Sequence, residues 1–177
     1  WKVKVPLKIK MFMWFVHKQV ILTKYNLVKR NWTGSTRCSF CDRDETIKHL
    51  FFDCPLARGL WRSVQIAFNI TPPTSVNMLF GAWLAGIESE TARHIRVGVC
   101  ALLWAIWNCR NDLAFNRTTT IHFLQVLFRA TALIRMWSLL TPTEARERLI
   151  TGSVRWKMIA RDIFNRFGWR SCNRIDI

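Results

Sequence analysis

The chain has 177 residues, half of them apolar and ten of them tryptophan, and it carries a formal charge of +16. That suffices for one ordinary domain, or for a small module joined to a helical one, and it excludes wholesale disorder. The longest apolar run, Val97 to Trp107, is eleven residues; a membrane-spanning helix needs roughly 20, so no membrane partner is expected.

The sequence begins at Trp1 rather than methionine, with no signal peptide ahead of it, and the expectation is a piece of something longer. The charge is uneven. Residues 1–37 hold nine Lys/Arg and no acid, residues 38–70 are neutral, residues 71–118 carry +1 and residues 119–177 carry +6. A polyanion is the natural partner of such a surface, and nucleic acid the first candidate. The bland alternative is a solvated basic face.

In chain order, Trp1 to Val5 alternates like a strand, but Pro6 argues against a central one. Ile9, Phe12, Met13, Val16 and Val20 recur at helical spacing and predict a helix from about residue 6 to 19. Thr23 offers an N-cap for a short second helix reaching about Arg30. Asn31 to Arg37, with Gly34, reads as a loop. Two helical turns are expected around His49–Cys54, and a further helix from about 56 to 67 after Pro55. Thr71-Pro72-Pro73-Thr74-Ser75 reads as a linker. The division expected is therefore 1–70, a zinc module; 71–76, a linker; and 77–177, a helical region.

Beyond the linker, Glu88 to Asn111 predicts a long helix whose acidic start suits the positive end of the dipole. Its middle has no polar face, so it must be covered on most sides. Thr120 to about Leu140 predicts another helix, ended by Pro142. Thr143 caps a short one, and Trp156, Ile159, Ile163 and Phe167 form the seam of a last one, terminated at Gly168. The fold class expected is mostly α: a small zinc-stapled, zinc-knuckle-like helical module followed by an all-α region.

The chemistry is concentrated in Cys38, Cys41, His49 and Cys54, spaced Cys-x2-Cys-x7-His-x4-Cys. Three thiolates and one imidazole complete the tetrahedral shell that structural zinc takes, whereas catalytic zinc keeps an open position. The intervening Asp42-Arg43-Asp44-Glu45-Thr46 is polar and is expected to stay in water. A redox dithiol would call for a βαβ context, and an iron–sulfur cluster for four thiolates. Zinc is the cofactor expected, in a reducing intracellular compartment, nuclear or cytoplasmic.

For phosphate contacts the candidates are Lys8, Lys10, Lys18, Lys24, Lys29, Arg30 and Arg37, together with Lys2 and Lys4. Phe40 can either stack on a base or pack over the metal site. Trp32 can also stack on a base but reads first as core, as do Phe51 and Phe52. His17, His94 and His122 have no ligand company. No Ser-His-Asp order, phosphate-cradling glycine loop or carboxylate cluster is visible, so neither an enzyme nor a small-molecule substrate is expected.

Several stretches resemble the reverse transcriptase zinc-binding domain of plant LINE-type (non-LTR) retrotransposon polyproteins. They are Trp1 to Trp14, Leu22-Thr23, Asn26-Leu27, Arg30, Cys38-Ser39-Phe40-Cys41 and His49-Leu50-Phe51-Phe52-Asp53-Cys54. Further on, Trp104 to Phe115 resembles the Trp-x-x-Trp…Arg-Asn…Phe segment that follows that domain. The resemblance implies metal ligation by Cys38, Cys41, His49 and Cys54. It also implies an accessory, nucleic-acid-handling role beside a reverse transcriptase core that this chain does not contain. Two roles are expected: non-specific binding of RNA or single-stranded DNA through the basic helices, or docking of helices onto the rest of the polyprotein.

Overall fold

The computed structural model describes residues 3–167, and these form seven α-helices and one π-helical turn. In order they are α1 (Leu7–His17), α2 (Lys24–Val28), the π-turn (His49–Asp53), α3 (Pro55–Phe68), α4 (Val76–Phe80), α5 (Ser89–Ala114), α6 (Phe123–Ser138) and α7 (Thr143–Phe167). Among the described residues there is no strand, only an isolated antiparallel bridge between Arg37 and Asp44. The mostly-α expectation holds.

Helix α5 is the axis of the packing. Val97, Val99, Cys100, Ala101, Leu102, Leu103, Ala105, Ile106 and Cys109 are all buried along it, beneath α1, the π-turn, α6 and α7. That cover is what a helix without a polar face demands. Its start is capped by Glu88, whose carboxylate accepts from the Glu90 and Thr91 N–H groups at 2.8 and 2.7 Å. These are two of the donors a helix otherwise leaves unmet.

Helix α1 buries Ile9, Phe12, Met13 and Val16. Phe12 meets Trp104 of α5 edge-on, with ring centres 5.0 Å apart, and Phe51 of the π-turn at 6.2 Å. The turn from α1 into α2 is held by Asn26, whose amide donates to the carbonyls of Gln19 and Ile21. The buried Thr23 caps α2 by accepting from Asn26 N–H. Val3 and Val5 are buried without forming a strand.

Two expectations change beyond Pro73. Helix α4 was not anticipated; Ser75 caps it by accepting from Met78 N–H at 3.1 Å. The short helix after Thr143 and the later helix are one 25-residue helix, α7. Gly152 sits in its interior without breaking it, because glycine costs a helix only about 1 kcal/mol relative to alanine. Packing more than offsets that: Leu149, Ser153, Trp156 and Ala160 recur at helical spacing and are buried. Trp156 Nε1–H donates to Ser63 Oγ of α3 at 2.7 Å, and Ser63 passes its own proton to the Leu60 carbonyl. One apolar core thus runs from α1 through α3 and α5 to α7. The end of α7 expected at Gly168 lies outside the described residues, as do Lys2 and Cys172.

Candidate metal centre

The donor atoms of Cys38, Cys41, His49 and Cys54 all lie within 4.8 Å of one another. Cys41 Sγ is 3.1 Å from His49 Nε2 and 4.0 Å from Cys54 Sγ. Ligands about 2.0–2.3 Å from a shared ion at the corners of a tetrahedron are separated by about 3.3–3.8 Å. The cluster therefore has the right size, as well as the right chemistry, to hold one metal ion.

Two local structures assemble it. A tight loop carries Cys38 and Cys41, closed by Cys38 N–H donating to the Arg43 carbonyl at 2.7 Å and Glu45 N–H to the Thr36 carbonyl at 2.9 Å. Thr36 Oγ1 also donates to Asp44 Oδ1, and the Arg37 guanidinium to the Asp42 carbonyl. The other two residues of the cluster, His49 and Cys54, are five residues apart. In an α-helix, at 3.6 residues per turn, that spacing would set them about 140° apart around the axis. The π-turn, with Cys54 N–H bonded to the His49 carbonyl at 2.7 Å, brings them onto one side. This single turn replaces the two helical turns expected there. Pro55 then starts α3, placing Cys54 at the helix N-terminus.

The three thiols perturb one another. Cys38 is held down to about 4, first by a hydrogen bond from Cys54 and further by His49 and the Phe40 N–H. Cys54 is pushed up, first as the donor to Cys38 and then by burial. Cys41 is raised chiefly by burial. A cation at the centre removes the need for any of them to keep its proton. Cys100 and Cys109 are different: burial pushes their thiols up to about 12 and about 11, and they are inert core residues.

Residues around the centre depart from expectation in informative ways. Phe40 is 5% exposed and packs into the core, its N–H donating to Cys38 Sγ at 3.4 Å, so it offers no face to a base. Phe51 and Phe52 are core, as expected. Trp32, expected in the core, is 40% exposed; its ring lies over Gly34, where a Cβ would collide with it. Glu45, assigned to a solvated loop, is fully buried. It accepts from Lys24 N–H at 2.9 Å and from Arg110 of α5, Nε at 2.9 Å and Nη2 at 2.6 Å.

Of the cationic candidates, Lys8, Lys10, Lys18, Lys29, Arg30 and Arg37 are exposed, whereas Lys24 is half-buried and its Nζ donates to the Arg37 carbonyl. Lys29 lies 4.6 Å from the centre of the Tyr25 ring. The outer face of α1 adds a residue the sequence did not single out. Leu7, Met11, Trp14 and Lys18 follow one another at helical spacing opposite the buried stripe, and Trp14 is 54% exposed. Only its position relative to Ile9, Phe12, Met13 and Val16 could have revealed it.

Residues 1–61 match the family described as zinc-binding in reverse transcriptase. The matched stretch contains Cys38, Cys41, His49 and Cys54 and the α1–α2 pair, but not the Trp104 to Phe115 segment. A protein of Arabidopsis thaliana named "Putative ribonuclease H protein" is 36% identical over 62 residues, which is 34% of this chain and 10% of that protein. The match thus spans about a tenth of the relative's length. No solved structure matches the chain. Among the described residues, no helix is long and apolar enough to cross a membrane.

Proposed function

We propose that this chain is a zinc-stapled accessory module of a retroelement-derived polyprotein that binds RNA or single-stranded DNA without sequence preference. Cys38, Cys41, His49 and Cys54 hold one zinc ion as a closed structural site, in a reducing compartment, and the chain carries no reaction of its own. The supporting donor set is three thiols and one imidazole within a tetrahedron's reach. Residues 1–70 form the zinc module, which 71–76 joins to the helical region 77–177.

The observation that carries the binding role is the outer face of α1. Lys10 and Lys18 flank the exposed Trp14 there at i−4 and i+4, and Lys8 is exposed on the same helix, in a segment of 37 residues without an acid. Lysines neutralise phosphates and an exposed indole stacks on any base, the pairing used for sequence-tolerant single-strand binding. Lys29, Arg30 and Arg37 extend the positive surface. The test is the salt dependence of affinity for a single-stranded oligonucleotide. Replacing Lys8, Lys10 and Lys18 by glutamine should lower the slope of log K against log salt by about 2. An affinity indifferent to salt, or a slope unchanged in the triple variant, contradicts the reading.

A second reading has its own support. Leu7, Met11, Val20, Leu22 and Val28 are all at least 40% exposed beside the same lysines. Such a surface suits docking onto the rest of a polyprotein. Loss of partner association in Leu7→Ser/Met11→Ser, with oligonucleotide affinity unchanged, would favour it.

A further inference from the structure

We propose that the groove between α6 and α7 is a second, independent seat for the backbone phosphates of a single nucleic-acid strand. The groove encloses about 340 Å³, and its lining includes Phe128, Thr131 and Arg135 of α6 and Ser153, Lys157 and Arg161 of α7. Three of its lining residues are cations and none is an acid.

Elsewhere Arg129 of α6 pairs with Asp112, Arg148 of α7 with Glu90 and Arg110 of α5 with Glu45, whereas Arg146, Arg155 and Arg166 of α7 have no ion pair among the described residues. Arg135, Lys157 and Arg161 have neither an ion pair nor a side-chain hydrogen bond among the described residues. Lys157 and Arg161 are four apart on one face of α7, a spacing at which like charges repel and destabilise the helix. A multiply charged anion between them and Arg135 removes that repulsion. Arg135 by itself is explained by its place in the last turn of α6, where a cation meets the negative end of the dipole. Lys157 and Arg161 lie short of the last turn of α7, and the dipole does not account for them.

The shape selects a strand over a small metabolite. Ligands that a site engulfs sit in closed, mostly apolar pockets, whereas Phe128, Ala132, Arg135, Val154 and Arg161 are all exposed along this groove. Ser153 and Thr131 give their hydroxyl protons to the Ile150 and Phe128 carbonyls, so charge, rather than hydroxyl donation, is what the groove offers an anion. Phe128, 44% exposed at the edge, gives a base or sugar an apolar surface to lie on.

This proposal rests on the chain binding nucleic acid, but through elements other than α1. The experiment measures binding of a labelled oligodeoxythymidylate to the full chain across a salt series, in wild type and four folded variants. Arg135→Gln/Lys157→Gln/Arg161→Gln should lower the slope of log K against log salt by about 2, at about 0.7 per phosphate contact on a single strand. The charge-retaining Arg135→Lys/Lys157→Arg/Arg161→Lys should keep most of the wild-type slope. A control that removes the same charge elsewhere, Arg58→Gln/Arg62→Gln/Arg93→Gln, should change it far less. Equal losses in the groove and control variants would reduce the effect to net charge and overturn the proposal. A groove variant with the wild-type slope, beside a loss in Lys8→Gln/Lys10→Gln/Lys18→Gln, overturns the groove and leaves the α1 reading standing. No binding by the wild type overturns both.

Discussion

Glu45 and Arg110 are 65 residues apart in sequence and form a fully desolvated ion pair, with Arg110 Nη2 2.6 Å from Glu45 Oε1. The same carboxylate oxygen accepts from Lys24 N–H at the start of α2. One side chain thus ties the loop that carries Cys38 and Cys41 to α2 and to the central helix α5. The Arg110 guanidinium also lies 5.1 Å from the centre of the Trp107 ring and donates to Asn111 Oδ1. Arg110 thus supplies the counter-charge for a carboxylate in the loop that carries Cys38 and Cys41.

Removing one partner of a buried pair leaves a charge without compensation and typically costs about 3–5 kcal/mol. Arg110→Ala and Glu45→Ala should each destabilise the fold on that scale, as read by denaturant titration. The double variant should lose less than the sum of the two, since the partners are in direct contact. Arg110→Lys should also be destabilising, because an ammonium cannot reproduce the two-nitrogen contact. Additive single effects would mean that the pair is not the link described.

Gly152 lies in the interior of α7, where a Cβ would meet Phe68 Cε1 at 3.7 Å, an ordinary van der Waals distance. Gly152→Ala should therefore raise stability by about 0.4–1 kcal/mol, by restricting the unfolded chain and favouring the helix. A destabilised variant would show that α3 and α7 approach more closely than described.

Glu88 caps α5, and the Glu90 and Thr91 N–H groups hold its carboxyl down to about 2 from an ordinary 4.5. A depressed carboxylate stabilises the fold above its unfolded value, and that contribution fades as pH falls from about 4.5 toward 2. The difference in Tm between wild type and Glu88→Gln should be constant above about pH 5.5 and shrink as the medium is acidified below 4.5. A difference that grows on acidification would reverse the assignment.

The parts of the fold that were legible in the sequence are those set by local rules. The apolar spacing of Ile9, Phe12, Met13 and Val16, the cap at Thr23 and the unbroken apolar middle of α5 each specify a helix with little help from the rest of the chain. The clustering of Cys38, Cys41, His49 and Cys54 was legible because metal chemistry restricts both residue type and spacing. Long-range contacts were not. Nothing local distinguishes Glu45 from Asp42 and Asp44 in an acidic loop, and its burial depends on an arginine that follows much later. The continuity of α7 through Gly152 likewise rests on α3 receiving Trp156. Phe40 could be resolved only by the structure, since the same sequence position serves either a core or a stacking residue.

The central claim is that Cys38, Cys41, His49 and Cys54 hold one zinc ion whose removal unfolds the module around it. Zinc stoichiometry, measured together with thermal unfolding in wild type and Cys54→Ser, tests it most directly. Structural zinc contributes roughly 10–16 kcal/mol in free zinc-finger peptides, more than this small part of the core can replace. The account predicts one zinc per chain in the wild type, and loss of both the ion and the folded signal of the N-terminal region in Cys54→Ser or after chelation. A metal-free wild type that melts as it does with zinc, matched by Cys54→Ser, would contradict it.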